Sequence, residues 1–189
     1  MSTHIINQLQ TVLPLHLYGK GDAKDFDSLV KEIKGKESLI LFQADESPLR
    51  CLNVARVKVI HVPKNLILVE DYQQFVDGRV RRRRQPNGGY LQQLSEKMYV
   101  GEKPTDAARR CLKEELRLSK AASDATKIVF DGNGYKAVIS PSYPGLMTQC
   151  TFHDFTAFFP LEEEYWQEEF KEMCGDDIEF TIFKWVVMD

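Results

Sequence analysis

The feature that most constrains the fold is a strongly amphipathic helix pattern over residues 104–117. Pro104 suits the first turn of a helix, because the N–H that proline lacks would have no partner there. Glu114 and Glu115 lie near the end of the pattern. The apolar side chains recur at helical spacing on one stripe, namely Ala107, Ala108, Cys111, Leu112 and Leu116. The segment is therefore predicted to bury one face and to present two adjacent carboxylates.

Helix and strand patterns alternate along the rest of the chain. The predicted helices cover residues 3–13, 24–34 and 162–173, and the predicted strands cover residues 38–42, 49–62, 66–69, 75–84, 127–130, 135–139, 148–159 and 180–187. Asp131-Gly-Asn-Gly predicts a turn between two of these strands. This mixture predicts an α/β fold with helices on both faces of a sheet. We expect a single domain over residues 1–189, with residues 1–35 as a helical N-terminal extension.

Composition excludes several broad classes. The chain has 189 residues, which suits one domain, and its 43% hydrophobic content is enough for a sizeable core. A net charge of −3 argues against a generic polyanion binder. No apolar run approaches the roughly 20 residues of a membrane helix. The scattered cysteines have no metal-binding spacing and the N-terminus lacks a secretory pattern, so we expect a reduced, cytoplasmic location and no membrane partner.

The segment 96–118 resembles the Nudix box. That pattern has a glycine, five residues, a glutamate, seven residues, and then Arg-Glu-U-x-Glu-Glu-x-Gly-U, where U is aliphatic. The matching residues are Glu102, Arg110, Leu112, Glu114, Glu115 and Leu118. The resemblance implies a Nudix-like α/β/α sandwich with a mixed β-sheet.

Three positions depart from the box. Glu96 stands at the first glycine, Arg117 at the last glycine, and Cys111 at the glutamate that follows the arginine. The family pattern makes position 111 a metal ligand, and a thiolate is too soft a ligand to replace a carboxylate for Mg²⁺. Glu96 would bring a carboxylate nearby that compensates for the lost ligand.

The resemblance implies hydrolysis, dependent on Mg²⁺ or Mn²⁺, of a nucleoside diphosphate derivative or a related organic pyrophosphate. A divalent cation would neutralise the phosphates and lower the pKa of the attacking water. Carried over to this chain, the pattern makes Glu114 and Glu115 metal ligands, and Glu96 is the candidate third ligand in place of the carboxylate lost at position 111. Glu102, Glu114 and Glu115 are the expected catalytic group.

A second hypothesis comes from Cys111. With that carboxylate missing, the domain would be catalytically silent and would bind a nucleotide, another phosphorylated ligand or a protein partner. In an arbitrary protein, a pair such as Glu114 and Glu115 on a helix is most commonly a solvated face, and a cysteine on an apolar stripe is most commonly structural. Cys111 together with Glu96 is the feature that separates the two hypotheses.

The basic run over residues 79–84 has two interpretations. In a strand, Arg79, Arg81 and Arg83 would face one way and Arg82 and Arg84 the other, so one set would hold phosphate through bidentate contacts. Alternatively, the run is a charged edge that discourages aggregation. RNA binding is a weaker hypothesis, because the sequence shows no aromatic interleaving beside the run.

The acidic stretch over residues 162–179 is predicted to be a solvated helix. Nudix enzymes often take a catalytic base from outside the box. The resemblance therefore makes Glu162, Glu163 and Glu164 candidates for a general base.

Overall fold

Regular elements cover most of the computed structural model, which describes residues 2–21, 23–85, 87–159, 167–173 and 178–188. The helices over these residues are α1 (Ser2–Val12), α2 (Phe26–Lys34), α3 (Pro104–Leu116) and α4 (Lys120–Ala125). The strands are β1 (Leu39–Phe42), β2 (Pro48–His61), β3 (Leu66–Phe75), β4 (Val80–Arg81), β5 (Leu94–Lys97), β6 (Lys127–Ile139), β7 (Met147–Phe158), β8 (Glu169–Met173) and β9 (Ile178–Val187). No helix in the described ranges is long and apolar enough to cross a membrane.

Strand pairing gives the hydrogen-bonded order β6-β7-β2-β3-β9-β8. Strands β1 and β5 also pair with β2, and β4 pairs with β3. The pairs β2–β3, β3–β9 and β8–β9 are antiparallel. By contrast, β2 and β7 run parallel, because Arg56 contacts Asp154 and, further along both strands, Phe159 N–H donates to Ile60 O. This mixed sheet with its helices confirms the predicted α/β class.

Two compact units divide the chain. Unit 1 comprises Met1–Val54, Lys97–Glu102 and Asn133–His153, and unit 2 comprises Ala55–Glu96, Lys103–Gly132 and Asp154–Asp189. The predicted single domain over residues 1–189 stays a prediction.

The predicted N-terminal extension shares a hydrophobic core with the rest of unit 1. Leu9 and Leu13 on α1 and Leu29 and Ile33 on α2 pack in one cluster. The other buried members of that cluster are Ile40, Tyr143 and Leu146. Helices α1 and α2 are therefore held by apolar burial, which is the main favourable term in folding.

A buried ionic network reinforces unit 1. The carboxylate of Glu32, which is 6% exposed, pairs with Arg50 and accepts from Lys97 Nζ at 2.6 Å and from the Tyr143 hydroxyl at 3.0 Å. Burial alone would raise the pKa of Glu32, but the charges of Arg50 and Lys97 outweigh it and hold that pKa below its ordinary value. The pair therefore favours the folded chain at neutral pH, where Glu32 is ionised.

The predicted turn at Asp131-Gly-Asn-Gly is wrong. These residues lie inside the continuous strand β6, which runs from Lys127 to Ile139. The carboxylate of Asp131 accepts a hydrogen bond from Thr156 Oγ1 at 2.7 Å, and Thr156 belongs to the neighbouring strand β7. Pairing with that strand decides the local conformation here, overriding a turn-like composition.

Candidate functional site

The helix α3 positions the residues of the Nudix-like segment. Its predicted apolar stripe is buried, and Cys111 and Leu112 are both 0% exposed. Pro104 occupies the first turn as predicted. Helix α3 lies against β8 of unit 2, and Glu115 near the end of the helix meets Glu172 on that strand.

One departure from the box, Arg117, lies at the end of α3. Arg117 caps the helix in the left-handed conformation, with φ 51°. That region costs a residue with a side chain about 1–2 kcal/mol, and glycine adopts it freely. The backbone at position 117 therefore keeps the shape that the glycine of the pattern would favour, although the residue is arginine.

Glu115 lies in a crowded acidic environment. Burial is the largest cause that raises its pKa, to about 9, and the charges of Glu172 and Glu96 add to it. A hydrogen bond between Glu115 and Glu172 acts in the same direction, whereas the charge of Arg83 opposes it. Glu115 therefore favours its neutral form at neutral pH, because two half-buried carboxylates in contact do not readily both ionise.

Arg110 holds the other two predicted metal ligands. Its Nη1 atom lies 2.9 Å from Glu96 Oε1 and 3.1 Å from Glu114 Oε2. The Glu114 side chain is 52% exposed and the Glu96 side chain 25%. The structure thus brings the box arginine to both carboxylates.

Cys111 is an unreactive thiol. Burial raises its pKa well above the ordinary value, and the charges of Glu115 and Glu96 raise it further. A neutral, fully buried thiol offers no ligand to a hard cation.

The predicted metal ligands are not gathered into one cluster among the described residues. Mg²⁺ requires several oxygen ligands close to octahedral positions. Within the described ranges, no group of three or more His, Cys, Asp or Glu side chains is placed to hold a metal ion.

Glu102 belongs to unit 1, in the turn that precedes α3. Its carboxylate accepts from Tyr99 N–H at 2.9 Å, and its own N–H donates to Tyr99 O at 2.9 Å. These contacts give Glu102 a role in the turn. Its expected support of Glu114 and Glu115 stays a prediction.

The arginine segment, residues 79–84, is not the predicted strand over residues 75–84. Phe75 N–H donates to Arg79 O and Gly78 N–H donates to Phe75 O, so residues 75–79 form a tight turn. Gly78 has φ 86°, a conformation that glycine adopts without strain. Asp77-Gly78 is a common turn signal, and the short strand that follows this turn is Val80–Arg81.

Carboxylates partner some of the arginines and not others. Arg83 pairs with Glu70, which is 4% exposed, and Arg84 Nη2 lies 3.6 Å from Asp71 Oδ1. Arg79 turns back to Asp77. Arg81 donates from Nε and Nη2 to the neutral Gln73 Oε1 at 3.0 and 2.6 Å.

A polar row crosses the sheet of unit 2 and links the arginine segment to Glu115. Gln73 on β3 pairs in register with Arg81 on β4 and with Thr181 on β9, and Thr181 pairs with Glu172 on β8. The Gln73 amide Nε2 donates to Thr181 Oγ1 at 3.4 Å. Arg81 and Glu172 therefore stand at the two ends of one row.

Sequence reasoning missed Glu172, Gln73 and Glu70. The predicted helix over residues 162–173 is wrong where the structure describes it, because Glu169–Met173 form strand β8. The alternation of buried Phe170 with exposed neighbours is the signal that favours a strand. The general-base candidates Glu162, Glu163 and Glu164 lie outside the described residues.

Comparison with known proteins gives little guidance. No family model matches the chain, and no curated protein matches it. A solved Ap4A hydrolase from C. elegans, in a binary complex, is similar over 71% of this chain and 78% of its own, with 16% identity and a TM-score of 0.30. At a TM-score of 0.30 and 16% identity, this similarity carries no argument about the activity of the chain.

The protonation of Glu115 yields a prediction about stability and pH. An unfolded glutamate ionises at about 4.3, so between that pH and about 9 the folded chain binds more protons and loses stability as pH rises. Glu115→Gln keeps a neutral donor and removes this titration. Its unfolding free energy should exceed that of the wild type at mildly alkaline pH by at least about 1 kcal/mol, because one pKa unit is worth about that much.

Urea unfolding at mildly acidic and mildly alkaline pH measures this difference. Glu114→Gln, an exposed carboxylate one residue away, is the matched control and should leave the pH dependence unchanged. If Glu115→Gln follows the wild-type pH dependence, Glu115 is ionised in the folded chain.

Proposed function

We propose that this chain binds a nucleotide or another phosphorylated ligand through the arginine segment, without metal-dependent hydrolysis. The observation that carries the proposal is the exposure of Arg81 and Arg82 together with the kind of partner that each has. Both are exposed, and neither pairs with a carboxylate within the described part of the chain. Two arginines whose charge is not neutralised locally are suited to phosphate.

The surroundings orient both guanidinium groups. Arg81 is held by Gln73 through two of its five N–H donors, which leaves the others for a ligand. The Cζ atom of Arg82 lies 5.4 Å from the centroid of the Tyr72 ring, so the guanidinium rests on an aromatic face. Preorganised guanidinium groups can contact phosphate oxygens in bidentate geometry.

The state of the acidic residues supports binding without turnover. The raised pKa of Glu115 favours its neutral form, Arg110 holds Glu96 and Glu114, and Cys111 supplies no carboxylate. The site therefore lacks free hard ligands for a divalent cation in the described residues.

Calorimetric titration with ADP and with inorganic pyrophosphate tests the proposal. Wild type should bind, and Arg81→Gln and Arg82→Gln should each weaken binding by about tenfold or more, because a hydrogen bond to a charged group contributes about 1.5–3 kcal/mol. Arg117→Gln removes an exposed arginine from the same unit and is the matched control.

Two outcomes would contradict this proposal. One is that the wild type binds neither ADP nor inorganic pyrophosphate. The other is equal weakening by Arg82→Gln and Arg117→Gln, which would show that net charge alone accounts for the affinity.

The second candidate is a hydrolase that uses Mg²⁺ or Mn²⁺, with Glu114 and Glu115 as ligands, Glu96 as a third and Glu102 in support. One observation favours it, namely that the charges of Glu96 and Glu172 converge on Glu115. A divalent cation relieves such like-charge crowding more effectively than a proton does.

Titration of Mg²⁺ and Mn²⁺ into metal-free protein separates the candidates. Under the first proposal, wild type binds neither ion at a defined site, and Cys111→Glu gains a site because it restores the missing carboxylate. Under the second, wild type binds, Glu115→Gln abolishes binding, and a panel of dinucleoside pyrophosphates is cleaved. Far-ultraviolet circular dichroism checks that each variant remains folded.

A further inference from the structure

Strand β6 ends the sheet on one side and pairs with β7. Its second half, residues 133–139, belongs to unit 1, and we name this segment the free edge. In the part of the chain that the structure describes, no strand pairs with the other side of the free edge. A strand in this position presents N–H and C=O groups that are available to pair with another chain.

The hydrogen bond at the end of β6 shows which backbone groups point outward. Ser140 N–H donates to Leu146 O at 3.0 Å, across the loop that joins β6 to β7. Successive residues of a strand direct their N–H and C=O groups to opposite sides. Counting back from Ser140, the backbone groups of Tyr135, Ala137 and Ile139 therefore point away from β7.

The same three residues have exposed side chains. Tyr135 is 64% exposed and Ile139 is 61% exposed, and Ala137 between them is also exposed. The three share one face of the strand, because side chains alternate along it. Gly134 and Val138, on the opposite face, are half-buried. The free edge thus combines outward backbone groups with an exposed apolar row.

Few features of the free edge oppose pairing with another strand. Proteins commonly protect an edge with proline, with bulges or with charged side chains. Residues 133–139, all of which the structure describes, contain no proline and no residue with a positive φ. Lys136 is the only charged residue among them, and it lies on the face opposite Tyr135 and Ile139.

We propose that the free edge pairs with the free edge of a second copy of this chain, antiparallel and about a two-fold axis at Ala137. A two-fold interface is self-complementary, so Tyr135 of each copy would lie opposite Ile139 of the other. An aromatic residue and a β-branched residue are a favourable pair across antiparallel strands. The Ala137 residues of the two copies would exchange their backbone hydrogen bonds at the axis.

The neighbouring registers are less favourable. An axis at Lys136 would place the lysines of the two copies directly opposite each other, and like charges in that position are destabilising. An axis at Tyr135 would place Ile139 opposite Asp131. With the axis at Ala137, Lys136 lies opposite Val138 and every apolar side chain of the row has an apolar partner. This self-complementarity favours a second copy over an unrelated strand.

Sedimentation velocity of the full chain over a concentration series tests the proposal. The paired segment is shorter than a standard interface of about 800 Å² per partner, so we expect a Kd weaker than about 1 μM. Between concentrations below that value and concentrations about 500 times higher, the mass should shift from 21.8 kDa towards twice that mass.

Ala137→Pro is the most direct variant. The Ala137 N–H points away from β7, so proline removes an outward donor and leaves the hydrogen bonds between β6 and β7 in place. We expect the dissociation constant of the dimer to rise at least about tenfold, because both hydrogen bonds donated at the axis are lost. Val12→Lys changes another exposed apolar residue of unit 1, on α1, and is the control that should leave self-association unchanged. Circular dichroism checks that each variant is folded.

Tyr135→Lys and Ile139→Glu test the register. Each variant alone should self-associate at least about fivefold more weakly than the wild type, because a charge would lie opposite an apolar residue. An equimolar mixture of the two should associate at least about fivefold more tightly than either variant alone, because the introduced lysine and glutamate would lie opposite each other. These variants keep the test valid if Ala137→Pro does not fold.

A wild type that stays monomeric through the whole series overturns the proposal. A dimer that Ala137→Pro and Tyr135→Lys leave unchanged also overturns it, because another surface would then join the copies. If the chain stays monomeric but binds a synthetic peptide of residues 133–139, and Ala137→Pro abolishes that binding, the second copy is ruled out in favour of an extended segment of another protein.

Phosphate binding by Arg81 and Arg82 is a separate property, since those residues belong to unit 2. Calorimetric titration with ADP should therefore give the same affinity for Ala137→Pro as for the wild type. Failure of self-association leaves the proposed function intact, and absence of ADP binding leaves the proposed dimer intact.

Discussion

The hydrogen bond between the carboxyl groups of Glu115 on α3 and Glu172 on β8 is the constraint on which the chemistry of unit 2 depends. Two half-buried carboxylates in contact disfavour a second negative charge, so a proton stays with the pair. The neighbouring Arg110 then compensates Glu96 and Glu114. Among the described residues, these acidic side chains are therefore partnered with one another or with Arg110.

The arginines of residues 79–84 differ in their partners. Arg83 and Arg84 compensate Glu70 and Asp71, as structural partners of buried or half-buried acids. Arg81 stands at one end of the polar row and Arg82 lies over the Tyr72 ring, and neither pairs with a carboxylate among the described residues. We propose that Arg81 and Arg82 recognise the phosphate, whereas the helix α3 of the Nudix-like segment packs against β8.

Periodicity in the sequence predicts local structure, such as a helix and the face that it buries. The stripe of α3 with Pro104 in its first turn is confirmed, and position 117 keeps the left-handed backbone that a glycine would favour. The contacts that define the site join residues far apart in the chain, such as Gln73 with Thr181, so their register depends on tertiary pairing. The error at residues 169–173 has the same origin, because an acidic stretch with helical spacing forms a strand once β9 offers it a partner.

Carbon-13 NMR of the glutamate side chains tests the central claim, which is that Glu115 is neutral in the folded protein. The Cδ resonance of Glu115 can be assigned by its loss in Glu115→Gln. We expect the Cδ of Glu115 to show the chemical shift of a protonated carboxyl at neutral pH and to shift on deprotonation near pH 9. Addition of Mg²⁺ should leave this resonance unchanged. A resonance that is already ionised at neutral pH, or that moves to a saturable end point with Mg²⁺, would contradict it and favour a metal centre.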